Sequence, residues 1–277
     1  MGEAKRKQES FAKLLARRPG CVYCAGAAVG KTIEHMPPRS MFEGRQRTKG
    51  LEFPACDPCN RGTKHSDLVA ALLGRSWPAS DSAVHQSDFI RLLSGVSNNV
   101  PGLLQEMHLD RGAEKLARKR NNIPLDTHPL RADGPILSRH IFTFAAKIGF
   151  ALHYEIFGAP IPDQGGAEVM WFSNLQAYND QIPSVIFEIL PTPITLEQGS
   201  KSVADQFQYS YARTEEGRHM LYYASFNKSF AVAGVTALDR TIYLHQDGRF
   251  PIFVPGAFCR SATAEALLLD ECPGHHP

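Results

Sequence analysis

Four of the six cysteines occur as two Cys-x-x-Cys pairs, Cys21/Cys24 and Cys56/Cys59, with 31 residues between the pairs. The tight turn in such a pair aims two thiolates at one ion, and two pairs complete a tetrahedral four-cysteine site that suits Zn2+. A closed site of this kind keeps no position open for a substrate, so we expect the zinc to be structural. Two redox-active or chance pairs are the alternative.

The segment between the pairs is longer than the 15 to 20 residues of a simple zinc ribbon, so a further element is inserted there. This segment carries Glu34 and His35 side by side, followed by Met36 and two prolines. Asn60 stands directly after the last paired cysteine. Polar groups with metal-binding or proton-transfer chemistry therefore lie inside and immediately after the segment that the predicted zinc would close.

A nucleotide-binding loop is a second interpretation of the same stretch, since Ala25 to Thr32 (AGAAVGKT) fits the loose pattern [AG]-x4-G-K-[ST]. A phosphate-binding loop needs a buried apolar strand before it and a helix after it. Here a cysteine pair precedes the stretch, and Pro37 and Pro38 follow it closely. We therefore expect no nucleotide binding, and we interpret Gly26 and Gly30 as turn residues.

The order C21-x-x-C24, E34-H35-x-x-P38 and C56-x-x-C59-N60 resembles that of the HNH endonucleases, over about residues 20 to 75. The resemblance implies a ββα-metal fold clamped by zinc. It also implies that Glu34 and Asn60 bind a catalytic cation, Mg2+ or another divalent ion, and that His35 is the general base. Glu34 stands where the family usually has Asp, and the stretch QRTKGLEFPAC lacks the asparagine that fixes the loop around the histidine in the family.

Phosphodiester hydrolysis fits these implied roles. A hard cation on an incomplete set of oxygen ligands keeps positions open for phosphate and water, and it neutralises developing charge. An imidazole whose pKa is near 6.5 can take the proton from water. In a strand, Glu34 and His35 would point to opposite sides, and a bend at Met36-Pro37-Pro38 could bring both toward the cation.

The helix predicted after Asn60 adds further candidates. Asn60, Lys64 and Asp67 are spaced i, i+4 and i+7, so they share one helix face. Lys64 could stabilise charge on the phosphate, and Asp67 could be an extra ligand of the divalent cation. His65 lies off this face. For Lys64, Asp67 and His65 the simpler alternative is that they are solvated polar residues near the start of a helix.

The elements that position these residues are a strand with Glu34-His35, a basic loop, a short strand in GLEFPAC, and a helix from Asp57 onward. Farther along the chain, we expect helices within residues 85–157. The apolar stretch Ile141 to Phe157 is too short for a membrane span and contains Lys147, so we predict a buried helix there.

Beyond residue 165 strand patterns dominate, and they predict an antiparallel sheet over about residues 167–255. The predicted strands are AEVMWF, PSVIFEIL, DQFQYSYAR, HMLYYASF, SFAVAGVT and TIYLHQ. The fold class is therefore α+β. We predict two parts, with residues 1–77 forming a basic N-terminal helix plus the HNH module and residues 78–277 forming an α+β region whose role is open.

Charge is distributed unevenly between these two parts. Residues 1–77 hold 14 Lys/Arg and 7 Asp/Glu, whereas residues 78–277 hold 16 and 21, so the first part has a net charge of +7 and the second of −5. A positive module suits a polyanion, although a solvated basic face is the simpler alternative on charge alone. The charged N-terminus lacks the apolar run of a signal peptide, so we expect a cytoplasmic protein.

Three function classes follow from these observations. The first is a metal-dependent HNH-type endonuclease that cuts nucleic acid, with double-stranded DNA as the expected partner and no membrane involved. The second is a zinc-stabilised nucleic-acid-binding module without catalysis, and the third is a nuclease-derived scaffold for another protein. The C-terminal region could serve oligomerisation or partner contact. Modules of this kind occur in restriction, phage-defence and mobile-element proteins.

Overall fold

The computed structural model describes residues 12–77, 82–121, 123, 127–245 and 250–259. Within them the fold is mixed α and β with antiparallel sheets, as the sequence predicts. Residues 12–17 are helical, and the remainder of the predicted N-terminal helix lies outside the described ranges. The C-terminal tail with Cys272 also lies outside them.

A short hairpin followed by a helix contains most of the candidate residues. Strand β1 (Thr32–His35) pairs antiparallel with β2 (Glu52–Ala55), and helix α1 (Asp57–Arg75) follows directly. Helix α1 begins with a proline in its first turn, where the missing N–H costs no hydrogen bond. The predicted order of strand, strand and helix is confirmed.

In the described residues between α1 and the large sheet there are four further helices. These helices are α2 (Ala83–Asn99), α3 (Leu103–Met107), α4 (Arg111–Asn121) and α5 (Pro135–Phe157). Helix α5 is the long buried helix that the apolar stretch predicts. No helix in the described parts of the chain combines the length and the apolar character that crossing a bilayer requires.

The start of α5 is held by a side chain from α3. The carboxylate of Glu106 accepts hydrogen bonds from the backbone N–H groups of Ile136 and Leu137, both at 2.8 Å. These N–H groups lie in the first helical turn, where no intrahelical acceptor exists. Glu106 therefore fixes the N-terminal end of the helix that supplies Lys147 to the candidate site.

A five-stranded antiparallel sheet forms the other side of the core. Its strands are β3 (Gly166–Ser173), β6 (Phe207–Arg213), β7 (His219–Phe226), β8 (Phe230–Ala237) and β9 (Ile252–Phe253), in the spatial order β6-β7-β8-β3-β9. A separate two-stranded ribbon is formed by β4 (Glu197–Gln198) and β5 (Lys201–Ser202). The first strand of the sheet and its hairpins lie where the sequence patterns predict them.

Two of the predicted strands are wrong. The segment PSVIFEIL forms α7 (Ser184–Ile189), which follows the short helix α6 (Asn174–Tyr178). Its apolar residues lie on a short surface helix instead of in a sheet, with Ile186 buried and Phe187 exposed. Residues 241–245 of the segment TIYLHQ lie in a 3₁₀ helix, Arg240–His245, shortly after β8 has ended.

One apolar core joins the hairpin and α1 to the long helix and the sheet. The ring of Phe53 on β2 meets that of Tyr154 on α5 at 5.8 Å between centroids, with an interplanar angle of 89°. Tyr23, between the first two cysteines, packs against Phe150 and Phe258. Side-chain packing therefore crosses the boundary at residues 77/78, where the sequence pattern changes.

Candidate functional site

The four paired cysteines converge at one place. The Sγ atoms of Cys21, Cys24, Cys56 and Cys59 all lie within 4.8 Å of one another, and all four residues are buried. The first pair lies in the turn before β1, and the second lies at the start of α1. Four thiols at this separation fit a single metal ion such as Zn2+ in both donor type and number.

Backbone hydrogen bonds set the position of the first cysteine pair. The N–H of Cys21 donates to the carbonyl of Ala28 (2.8 Å), and the N–H of Val22 donates to the carbonyl of Pro54 (3.0 Å). Gly26 has φ +78°, a left-handed conformation that a residue with a Cβ rarely adopts. The turn is thereby closed on itself and tied to β2.

Contacts among the thiols change their acidities in opposite directions. Hydrogen bonds from neighbouring thiols raise the pKa values of Cys21 and Cys59 and lower those of Cys24 and Cys56. The four groups compete for the same protons, because packing four thiolates together without a cation is unfavourable. A bound zinc ion removes this conflict, since coordination deprotonates thiols outright.

A fifth sulfur lies beside this cluster. The Sγ of Cys259 is 3.2 Å from the Sγ of Cys59. Cys259 ends the 3₁₀ helix Ala257–Cys259, which packs against α1. The sequence pattern gives no reason to expect this contact, since Cys259 stands 200 residues from Cys59 and outside the two Cys-x-x-Cys motifs.

Glu34 and Asp67 meet at the ammonium group of Lys147. The Nζ atom of Lys147 donates to Oε1 of Glu34 at 3.0 Å and to the two carboxylate oxygens of Asp67 at 2.8 and 2.7 Å. Lys147 is fully buried, and the side chain of Glu34 is only 5% exposed. The structure thus brings together two predicted ligands of the divalent cation, but around an ammonium group supplied by α5.

Burial and charge act against each other in this triad, which we define as Glu34, Asp67 and Lys147. Burial raises the pKa of Glu34 to about 7, although Lys147 opposes the shift, and burial also raises the pKa of Asp67. Burial alone would lower the pKa of Lys147, but the carboxylates of Asp67 and Glu34 outweigh it and raise that pKa. Lys147 is therefore charged at neutral pH, while the carboxylates compete for one counter-ion.

Tyr23 connects the triad to the cysteine cluster. Its ring centroid lies 5.6 Å from the Nζ of Lys147, within the range of a cation–π contact. Tyr23 is itself fully buried between Cys21 and Cys24. The ammonium is consequently enclosed by two carboxylates and an aromatic ring, immediately behind the predicted zinc site.

His35 lies on the opposite face of the hairpin from Glu34. In the β1–β2 register His35 pairs with Glu52, and its Nδ1 is 3.6 Å from Oε1 of Glu52. Burial, reinforced by the positive charges of Arg39 and Arg47, lowers the pKa of His35 to about 4. The imidazole is therefore neutral at pH 7. Glu34 and His35 point to opposite sides, as strand geometry predicts, and the bend at Met36-Pro37-Pro38 does not bring both side chains to one place.

Arg47 holds the loop that follows His35. Its guanidinium donates to the carbonyls of Met36 (2.9 Å) and Pro37 (2.9 Å), and also to those of Thr48 (2.8 Å) and Gly50 (2.6 Å). In the HNH pattern an asparagine is expected to fix this loop, and the sequence lacks it. A single arginine with five donors supplies equivalent anchoring here.

The candidates on α1 have different environments. The amide nitrogen of Asn60 donates to the hydroxyl of Thr32 at 2.9 Å, so Asn60 faces β1 on the same side as Glu34. Lys64 is exposed to solvent. His65 is half-buried, and burial together with the charge of Lys64 lowers its pKa.

The donor types of the triad fit a hard cation, but the ammonium must leave before such an ion can bind. The carboxylate oxygens of Glu34 and Asp67 are the oxygen ligands that Mg2+ or Mn2+ prefers. Both carboxylates are in hydrogen-bond contact with Lys147. The roles of Glu34, Asn60 and Asp67 as cation ligands therefore stay predictions.

A cleft of about 220 Å³ opens on the face of the hairpin that carries His35. It is lined by Lys13 and Arg17 of the N-terminal helix, by Ile33 of β1 and by Glu52 of β2, together with Leu14. Arg39 is exposed close to His35. We call the surface formed by Lys13, Arg17, His35, Arg39 and Glu52 the His35 face.

No family model, no curated protein and no solved structure matches the chain.

Proposed function

We propose that this chain is an HNH-type endonuclease that hydrolyses phosphodiester bonds in nucleic acid, with double-stranded DNA as its expected substrate. The observation that carries the proposal is the ββα arrangement itself. Four clustered cysteines fasten the start of the hairpin to the start of α1, so that Glu34 on β1 lies on the same side as Asn60 on α1, while His35 lies on the opposite face of the hairpin. The order of these residues along the hairpin and α1 is the one that the HNH resemblance implies.

The His35 face supports the part of the proposal that concerns the substrate. A nucleic-acid backbone is drawn to clustered Lys and Arg side chains, which neutralise its phosphates. Lys13, Arg17 and Arg39 are exposed here beside a neutral imidazole. Phosphate contacts at these cations would place a phosphodiester next to His35.

In this proposal His35 accepts a proton from the attacking water. Its imidazole is unprotonated at pH 7, as a general base must be. Glu52, 3.6 Å away, is placed to stabilise the imidazolium that forms. An anionic phosphate nearby would also raise the pKa of His35 from about 4, which would make it a stronger base.

A divalent cation, when bound, would neutralise charge on the phosphate and assist the leaving oxygen. Glu34, Asn60 and Asp67 are the residues that the resemblance assigns to hold it, and they lie on the opposite face of the hairpin from His35. Lys64, exposed on α1, is the proposed further contact to the phosphate.

The experiment that tests the proposal measures cleavage of supercoiled plasmid, linear duplex and RNA by the purified chain with Mg2+, Mn2+ or EDTA. We expect nicked or linear DNA to accumulate only with a divalent ion. The Glu34→Gln variant serves as the control for contaminating nuclease, because it alters one atom of the implied ligand set. Equal products from both proteins, or none from either, would contradict the proposal.

A second candidate function is a zinc-stabilised module that binds nucleic acid without cutting it, and the contacts of Lys147 favour it. The carboxylates that would hold the divalent ion are held by a buried ammonium instead. A gel-shift assay separates the two candidates. Salt-sensitive DNA binding without cleavage under any divalent ion would favour the binding module.

A further inference from the structure

We propose that Lys147 and a divalent cation compete for the same two carboxylates, so that Lys147 determines whether the module holds a cation. This inference deepens the proposed nuclease function and rests on it for its biological meaning. Its physical basis is the triad alone. The Nζ atom lies 2.7 to 3.0 Å from oxygens of Asp67 and Glu34.

Distances make the two occupants mutually exclusive. Mg2+ and Ca2+ bind carboxylate oxygens at about 2.0 to 2.6 Å. An ion at that distance from oxygens of Glu34 and Asp67 would occupy nearly the position of the Nζ atom, which contacts the same oxygens. Two positive charges held within about 4 Å also repel each other strongly where little water screens them.

The charges of the triad make the ammonium a partial substitute for a divalent ion. Two carboxylates and one ammonium leave a net charge of −1 when all three are ionised. A divalent cation in place of the ammonium would balance both carboxylates. The residual charge is the driving force by which an ion could displace Lys147, and the Lys147 side chain, fully buried beside Tyr23, resists the exchange.

Removal of the ammonium would leave several oxygen ligands facing one point. Asp67 offers two oxygens to one point, as its paired contacts with Lys147 demonstrate, and Glu34 offers one. Asn60 lies on the same side of the hairpin, bonded to Thr32. Water would complete the shell, as is usual for Mg2+ and Mn2+.

The test measures Mn2+ binding directly in zinc-loaded protein, by electron paramagnetic resonance of free Mn2+ and by the shift in melting temperature. The Lys147→Met variant keeps much of the side-chain volume and removes the charge. We expect its Mn2+ affinity to exceed that of wild type by at least about tenfold. We also expect Mn2+ to raise its melting temperature more than that of wild type.

The matched control is the triple variant E34Q/K147M/D67N, in which the triad carries no charge. This variant should gain no affinity for Mn2+, whereas Lys147→Arg should stay close to wild type. If Lys147→Met folds only when Mn2+ is added, and the triple variant folds without it, the inference is supported. An Mn2+ affinity of Lys147→Met equal to that of wild type would overturn it.

Because binding is measured without activity, the inference and the proposed function can fail separately. A gain of Mn2+ affinity in Lys147→Met, with no cleavage by either protein, supports competition and contradicts the nuclease. Mg2+-dependent cleavage by wild type, with no gain of affinity in Lys147→Met, supports the nuclease and overturns the competition.

Discussion

Lys147 and Glu34 are 113 residues apart in the chain, and the Nζ of one lies 3.0 Å from Oε1 of the other in a fully buried contact. This contact joins the long helix α5 to strand β1 and also reaches Asp67 on α1. Three elements of the candidate site are thereby fixed by one ammonium group. The contact also places a positive charge where the HNH resemblance implies a divalent ion.

Loss of the ammonium should destabilise the fold. Lys147→Met leaves two buried carboxylates without their counter-ion, and breaking a buried ion pair in this way costs about 3–5 kcal/mol. Denaturant unfolding at pH 7 without divalent ions should reveal the loss. The triple variant E34Q/K147M/D67N should recover much of it, and a Lys147→Met protein as stable as wild type would contradict the structural role of the triad.

Zinc should be a structural component of the protein. We expect elemental analysis to find about one zinc per chain after purification without added metal, because four clustered thiols form a closed site. Cys56→Ser should lower zinc content, stability and any cleavage together, since metal binding and folding are coupled. Folded wild-type protein with reduced thiols and no zinc would refute this assignment.

Acid should destabilise the protein partly through His153. Burial lowers its pKa from an ordinary value of 6.5 to about 4, and its Nδ1 is 3.0 Å from the hydroxyl of Thr236. Between pH 6.5 and 4 the unfolded chain binds a proton at this position that the folded chain does not bind. Stability from this group is therefore complete above about pH 6.5 and is lost as the pH falls toward 4.

A His153→Gln variant isolates this contribution, because loss of zinc in acid affects both proteins. Unfolding free energies measured at several values between pH 7 and 4 should fall less steeply in the variant, by up to about 1.4 kcal/mol per pH unit. Parallel curves for the two proteins would mean that His153 does not titrate in this range.

The His35 face should make the contacts to the phosphate backbone. The variant K13A/R17A/R39A removes three exposed cations there, and K201A/R213A/R218A removes three exposed cations from the C-terminal part as a matched control. Each lost phosphate contact makes the slope of log K against log[salt] for duplex binding less steep by about 0.9. We expect the magnitude of this slope to fall by up to about 3 in the first variant and to change little in the control.

Equal salt dependence in these two variants would mean that net charge, rather than the His35 face, governs binding. Fluorescence anisotropy on a labelled duplex between 50 and 300 mM salt measures both slopes. An affinity measured at a single salt concentration would not distinguish the two explanations.

Local spacing was sufficient to predict the cysteine cluster, the hairpin and α1. The two cysteine pairs, the strand pattern around Glu34 and the apolar repeat after Asp57 each depend on neighbours within one element. The opposite orientations of Glu34 and His35 also follow from strand alternation. These predictions are confirmed by the structure because short-range geometry decides them.

The contacts made by Lys147 and Cys259 could not be predicted in this way. Both depend on how α5 and the final 3₁₀ helix pack against α1, which is decided by the whole core. One signal was nevertheless present, because Lys147 stands in an apolar stretch of a helix, where a lysine needs a buried partner. The role of Arg47 could not be predicted either. The sequence showed that the asparagine is missing, but it did not show that Arg47 anchors the loop instead.

The measurement that tests the central claim most directly is plasmid cleavage by His35→Ala, compared with wild type at neutral pH in the presence of Mg2+ or Mn2+. His35 lies on a different face of the hairpin from the triad and outside the cysteine cluster, so zinc content, melting temperature and DNA binding should barely change. Loss of a general base should reduce the cleavage rate about 10²- to 10⁴-fold. A His35→Ala protein, free of contaminating nuclease, that cuts as fast as wild type would contradict the account.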